Sequence, residues 1–116
     1  READGLAMSS RNTYLNADQR GAATVLYRAL TAAKDAYQAG ERGGERLRDI
    51  MRNTIKAEPL ARREYVSCAH PATLEELDQV GEDALFSMAV HVGETRLIDN
   101  FLLTAGIFNT GVRITE

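Results

Sequence analysis

The stretch from Ala84 to Leu103 restricts the fold more than any other part of the chain. Successive side chains of a β-strand point to opposite sides, so a half-buried strand alternates in character. Ala84, Phe86, Met88, Val90 and Val92 fall on one face, and Leu85, Ser87, Ala89 and His91 on the other. Gly93-Glu94 fits a two-residue type II′ turn, which takes glycine at its first central position. Arg96 to Leu103 then reads as the return strand. In this register Val90 faces Leu97, Phe86 faces Phe101 and Ala84 faces Leu103, and the one misfit is Met88 opposite Asp99. Thr95-Arg96-Leu97-Ile98-Asp99-Asn100 is a charged insertion in that strand, where Asp99 and Asn100 are expected to bond the backbone at an interrupted edge.

Helical signals lie upstream. Asn16 is a good N-cap, and Gln19 follows in capping-box spacing. Val25, Leu26, Ala29, Leu30, Ala33 and Tyr37 recur at helical spacing, and Gly40 is a natural stop. The expected helix covers residues 17–39. Gly43-Gly44 form a hinge to a second helix over residues 45–57, with Leu47, Ile50, Met51 and Ile55 as its apolar stripe and Pro59 ending it. Tyr65-Val66-Ser67-Cys68-Ala69 reads as a short strand. Residues 71–82 form a connection with Leu74 and Leu77 tucked against the core, and the tail after Leu103 is expected to be irregular. The resulting class is α+β, with a three-stranded antiparallel sheet packed against two main helices.

At 116 residues the chain is one domain's worth. Its balance of 44% apolar and 27% charged residues suits a soluble globular domain with a real core. A net charge of −3 argues against non-specific nucleic-acid binding, which needs a basic surface. No apolar run approaches the ~20 residues of a membrane span. The single cysteine, Cys68, excludes an internal disulfide and a cysteine-only zinc site, and the plain reading is a reducing, cytoplasmic compartment. The sequence starts at Arg1 without a signal peptide, so a piece of a longer protein is expected.

Few residues carry chemical promise. Met8-Ser9-Ser10-Arg11 sits in a turn ahead of helix formers. Hydroxyls and free N–H groups at a helix start suit an anion, and an arginine fork suits phosphate oxygens. The same residues also read as a helix cap beside a solvated arginine. His70, His91 and Cys68 lack the spaced partners of a metal site or a catalytic dyad and read as structural. Arg42, Arg46, Arg48, Arg52, Lys56, Arg62 and Arg63 form a basic run diluted by Glu45, Asp49 and Glu58. Without interleaved aromatics it reads as a solvated face with intrahelical ion pairs, and an RNA- or partner-binding face is the alternative.

The run Arg1-Glu2-Ala3-Asp4-Gly5-Leu6-Ala7-Met8-Ser9-Ser10-Arg11-Asn12-Thr13-Tyr14-Leu15 closely resembles a signature of the pantothenate synthetase (pantoate–β-alanine ligase) family. Val92-Gly93-Glu94-Thr95-Arg96-Leu97-Ile98-Asp99-Asn100 resembles that family's second signature, in the matching order and separation. The resemblance implies that residues 1–116 are a single C-terminal lid domain, whose Rossmann-like N-terminal domain is absent from this chain. It implies an ATP-dependent ligation through a pantoyl adenylate, which releases pyrophosphate and ends in pantothenate and AMP. ATP with Mg2+ enters as substrate, with no prosthetic group and no metal-binding residue in this chain. Pantoate and β-alanine bind mainly in the missing domain, the full enzyme is a homodimer, and the fragment alone is expected to be inactive. Met8-Ser9-Ser10-Arg11 looks like the family's counterpart of the KMSKS loop of class I aminoacyl-tRNA synthetases, with Ala7 and Ser10 in place of the lysines. Ser9 and Ser10 would then donate to ATP phosphates, Arg11 would supply charge as pyrophosphate leaves, and Met8 would pack near the nucleotide. A stand-alone phosphate- or nucleotide-binding module and a protein-interaction module are the competing readings.

Overall fold

The computed structural model describes residues 1–111. A 3-10 turn, Ser10–Tyr14, leads into helices α1 (Ala17–Ala22), α2 (Val25–Gln38) and α3 (Gly44–Lys56). Strands β1 (Ala61–Ala69), β2 (Ala84–Val92), β3 (Thr95–Thr104) and β4 (Ile107–Asn109) follow. They form one antiparallel sheet in the order β1-β2-β3-β4.

The α+β class holds, but the numbers of helices and strands differ. The helix expected over residues 17–39 is two segments. Ala23 and Thr24 stay in the helical region, but the Thr24 N–H bonds the Gly21 carbonyl one residue too early, at 3.3 Å. The Thr24 hydroxyl also donates to that carbonyl, at 2.8 Å. A side chain that bonds back into the preceding turn tightens the helix there. The sheet has four strands, not three. Residues after Leu103, expected to be irregular, turn at Ala105 (φ 51) and Gly106 (φ 78) and return as β4. Two consecutive left-handed residues match the right-handed twist of a hairpin, and Phe108 then packs edge-on to Tyr37 and beside Phe86.

The helical stripes and the central hairpin behave as the periodicity predicts. Val25, Leu26, Ala29, Leu30, Ala33 and Tyr37 are buried on α2, and Leu47, Met51 and Ile55 on α3, while Ile50 is only half-buried. Gly40 (φ 111) ends α2: its N–H bonds the Tyr37 carbonyl, and the Glu41 N–H bonds the Ala36 carbonyl. This bond pair satisfies carbonyls the helix end would leave bare. In the hairpin Val90 pairs with Leu97, Phe86 with Phe101, Ala84 with Leu103 and Met88 with Asp99. Gly93 alone of the two turn residues has positive φ, as a type II′ turn requires.

β1 starts at Ala61, four residues ahead of the expected strand. Arg62, Arg63 and Glu64 look like loop or helix-face charges in one dimension, but β1 is an edge strand, where charged side chains discourage further pairing. The register slips between Arg63 and Tyr65, a bulge that sets Glu64 apart. Leu77 is half-buried against the core, whereas Leu74 is 63% exposed with φ 63, so it does not tuck in as expected. The segment 76–80 runs along the α2–α3 connection. Gly44 N–H bonds the Asp78 carbonyl, Val80 N–H bonds the Arg42 carbonyl, and Arg48, buried, donates twice to the Leu77 carbonyl.

The misfit at Asp99 is resolved by the other end of the chain. β3 runs through it unbroken, and the carboxylate accepts two bonds from the Arg1 guanidinium, at 2.6 and 2.8 Å. Asp99 also takes the Asn100 N–H, at 2.8 Å, so it does bond the backbone, but at a continuous strand. Arg1 bonds the Gly5 carbonyl as well, and its guanidinium lies 4.9 Å from the Tyr27 ring centre and 5.2 Å from that of Phe101. Both side chains are almost wholly buried.

Two variants probe these contacts. Asp99→Ala strands a buried guanidinium, and such a loss typically costs about 3–5 kcal/mol; urea unfolding should show a drop of that size. Gly44→Ala would set its Cβ 1.8 Å from the Leu77 carbonyl oxygen. Forced overpacking costs roughly 1–3 kcal/mol, so a thermal melt should move down, and an unchanged melt would refute the close approach.

Candidate functional site

The loop at residues 8–11 is exposed throughout. Ser9 caps the 3-10 turn: its backbone is extended (φ −157), and its Oγ accepts the Arg11 N–H at 3.1 Å. That bond uses Oγ as an acceptor, so the hydroxyl proton remains available. Ser10 places its carbonyl against the Thr13 hydroxyl, which donates to it at 2.8 Å, and its own hydroxyl has no partner among the described residues. The Arg11 guanidinium donates once, through Nη1 to the Arg96 carbonyl at 3.3 Å, and its other N–H groups are left without a protein partner among the described residues. Met8 is 69% exposed. Thus the residues expected to meet phosphate are brought together, with unspent donors.

The loop is held from behind. Asn12 Nδ2 donates to the Ala7 carbonyl at 3.0 Å, and Leu6 is buried. Gly5 (φ 93) is required because a Cβ there would lie 2.2 Å from the Tyr27 ring. Asn12 Oδ1 is buried without a hydrogen-bond partner.

Two adjoining clefts flank Arg11. One, of about 670 Å³, is lined by Arg11, Tyr14, Gln19, Glu94, Thr95 and Arg96. The other, of about 360 Å³, includes Met8, Ser9, Arg11, Asn12, Arg96 and Ile98. The two runs singled out in the sequence, residues 1–15 and 92–100, therefore meet in space. Arg96, which in one dimension is only part of a charged insertion, lines both clefts. Its Nε and Nη2 each donate to Glu64, at 2.9 Å, and His91 Nε2 lies 2.9 Å from the same carboxylate. Those bonds, Arg96 first, pull the Glu64 carboxyl down to about 2 and raise Arg96. Glu64 comes from the β1 bulge, and no one-dimensional signal links it to Arg96.

The other candidates are structural. Cys68 is buried, and desolvation pushes its thiol up to about 11, which keeps it protonated and inert. His70 uses Nδ1 to accept the Ala72 and Thr73 N–H groups, and His91 meets Glu64. The basic run is dispersed: Arg48 is a buried strut, Arg52 pairs with Asp49 and Glu45, and Arg42 lies 3.8 Å from the Tyr37 ring centre. The intrahelical pairs match the expectation from sequence; the burial of Arg48 does not. Among the described residues no cluster of three His, Cys, Asp or Glu could hold a metal, and no helix is long and apolar enough to cross a membrane.

Comparison with known proteins converges on one group. A family model described as pantoate-beta-alanine ligase matches residues 1–102. The pantothenate synthetase of Chloroflexus aggregans is 64% identical over 104 residues, which is 89% of this chain and 38% of the relative. The crystal structure of pantothenate synthetase from Thermus thermophilus matches with a TM-score of 0.80 at 41% identity, over 86% of this chain and 36% of that one. A pantoate-beta-alanine ligase from Francisella tularensis, complexed with beta-gamma ATP and beta-alanine, shares the fold at 24% identity and a TM-score of 0.51, over 88% of this chain and 30% of that one. The chain thus spans well under half the length of the relatives it matches.

The Glu64 contact has a definite pH signature. Its pKa is depressed in the folded state, so the tether is complete above the ordinary value near 4.5 and is lost as pH falls toward about 2. The Arg96 Nε–H resonance should show no step at the ordinary carboxylate value of 4.5. It should move only on approach to pH 2, and a midpoint near 4.5 would refute the pairing.

Proposed function

The chain belongs to the pantoate–β-alanine ligase family, and from that premise we propose that it is the C-terminal lid domain of an AMP-forming pantothenate synthetase. The observation that carries this reading is the meeting of the 8–11 loop with the start of β3 at a cleft that has unspent donors on one side and arginine on the other.

The chemistry follows from charge. Pantoate carboxylate attacks the α-phosphorus of ATP, and pyrophosphate leaves with the bonding electron pair. Negative charge therefore grows on the leaving group, which Mg2+, entering with ATP, also neutralises. β-Alanine's amine then attacks the acyl carbon of pantoyl adenylate and expels AMP. In this scheme the Ser9 and Ser10 hydroxyls donate to ATP phosphate oxygens, and Arg11 takes the charge that builds on pyrophosphate. Met8 covers the nucleotide, and closure of the domain keeps water from the acyl adenylate. A donor aimed at developing charge is worth roughly 3–4 kcal/mol. Pantoate and β-alanine are held chiefly by an N-terminal domain outside this sequence, so the 116 residues alone lack part of the reaction centre.

Two assays test the proposal. The isolated chain should give no steady AMP formation from ATP, pantoate and β-alanine. In the longer enzyme that carries this chain, Ser10→Ala should lower kcat by about 10²–10³-fold, with KM for pantoate little changed. Steady turnover by the isolated chain, or an undiminished kcat in the variant, would overturn it.

A further inference from the structure

We infer that Arg96 is a second cation of the phosphate site, clamped by Glu64 so that it takes an oxyanion of a polyphosphate jointly with Arg11. The inference rests on the reading of residues 8–11 as a phosphate grip and extends it to a residue on another element.

Three features carry it. The first is place: Arg96 and Arg11 are the two arginines shared by both clefts, and Arg11 is anchored on the Arg96 carbonyl itself. The second is the geometry of the clamp. Glu64 receives Nε and Nη2, one edge of the planar fork, and Nη1 has no hydrogen bond among the described residues. An arginine held along one edge keeps donors on the other in a fixed direction, and this preorganisation suits phosphate. The side chain is 43% exposed, so a ligand can reach it. The third is charge. Two guanidinium groups line this cleft with one carboxylate, Glu94, and a second carboxylate, Glu64, is tied to Arg96 and in contact with His91. A single arginine balances little of a triphosphate's charge, and a second brings the cleft closer to its ligand. Gln19, Thr95 and Tyr14 add neutral polar groups, while Glu94 on the rim is the opposing charge.

The test is an NMR titration of the chain, labelled at backbone amides and arginine Nε, with inorganic pyrophosphate and separately with Mg-ATP. Saturable shifts are expected at the amides of Ser9, Ser10 and Arg11 and at Arg96 Nε–H. Arg96→Gln should weaken pyrophosphate by about tenfold or more, the loss expected for a charge-assisted hydrogen bond. Arg96→Lys should weaken it less, and Glu94→Gln should tighten it. If the loop amides move while Arg96 Nε–H does not, or Arg96→Gln with a native spectrum binds within about twofold of wild type, this inference falls and the loop reading stands. If neither ligand moves the loop amides, both fall, because the site proposed is one already formed in this chain. Should Arg96→Gln fail to fold, the Arg96 Nε–H shift and the lysine variant decide.

Discussion

The buried pair between Arg1 and Asp99 is the contact on which the rest of the arrangement depends. A carboxylate in the middle of a core-facing strand row, between Leu97 and Phe101, would be untenable alone. The arginine that neutralises it arrives 98 residues earlier in sequence. It is satisfied by several partners: the carboxylate, the Gly5, Asn100 and Thr110 carbonyls, and the faces of two aromatic rings. Buried charge is tolerated when its hydrogen bonds are complete. This one ties the first residues, α2 through Tyr27, β3 and the segment after β4 into one unit.

That unit explains why residues 8–11 sit where they do. Arg1 and Gly5 anchor the start of the segment, and Leu6 drops into the core. Asn16 and Gln19 cap α1 reciprocally, which restrains the other end. The Gln19 side chain also lies over the β2–β3 turn, close enough that a Cβ on Gly93 would come within 2.5 Å of it. Between these anchors the loop is left exposed, with the serine hydroxyl protons and most of the Arg11 guanidinium N–H groups unspent. Rigid ends around a free middle are what a binding loop needs, since the scaffold sets direction and the loop keeps its donors.

A second polar framework serves packing. Arg48 is driven into the interior by the apolar stripe around it, and it compensates by bonding the Leu77 carbonyl and approaching Glu76. Gly44 lets the same carbonyl come close to α3. The connection 76–80 therefore behaves as part of the scaffold, although its composition resembles an ordinary loop. The exposed Leu74, with its left-handed backbone, lies just outside that framework.

Much of this was legible in one dimension. Strand alternation set the ends of β2 and the pairing of the central hairpin, and helical periodicity set the buried faces of α2 and α3, because local geometry alone dictates which side chains share a face. The capping box and the Gly40 stop were equally local. The family signatures pointed to Met8, Ser9, Ser10 and Arg11. What the sequence could not disclose was every feature that joins distant residues. Arg1 to Asp99, Glu64 to Arg96 and Arg48 to Leu77 are long-range contacts between polar groups, and polar residues carry no periodic mark of their partner. β4 and the early start of β1 were hidden for a related reason: short or charged edge strands are defined by the neighbour they pair with, not by their own pattern. The sequence by itself determined the central hairpin, the buried faces of the two main helices and the chemistry of the loop. Only the tertiary structure decided that a charge inside a strand would be neutral in effect, and that the second signature would bring Arg96 beside Arg11, because both depend on which side chains meet when the chain closes.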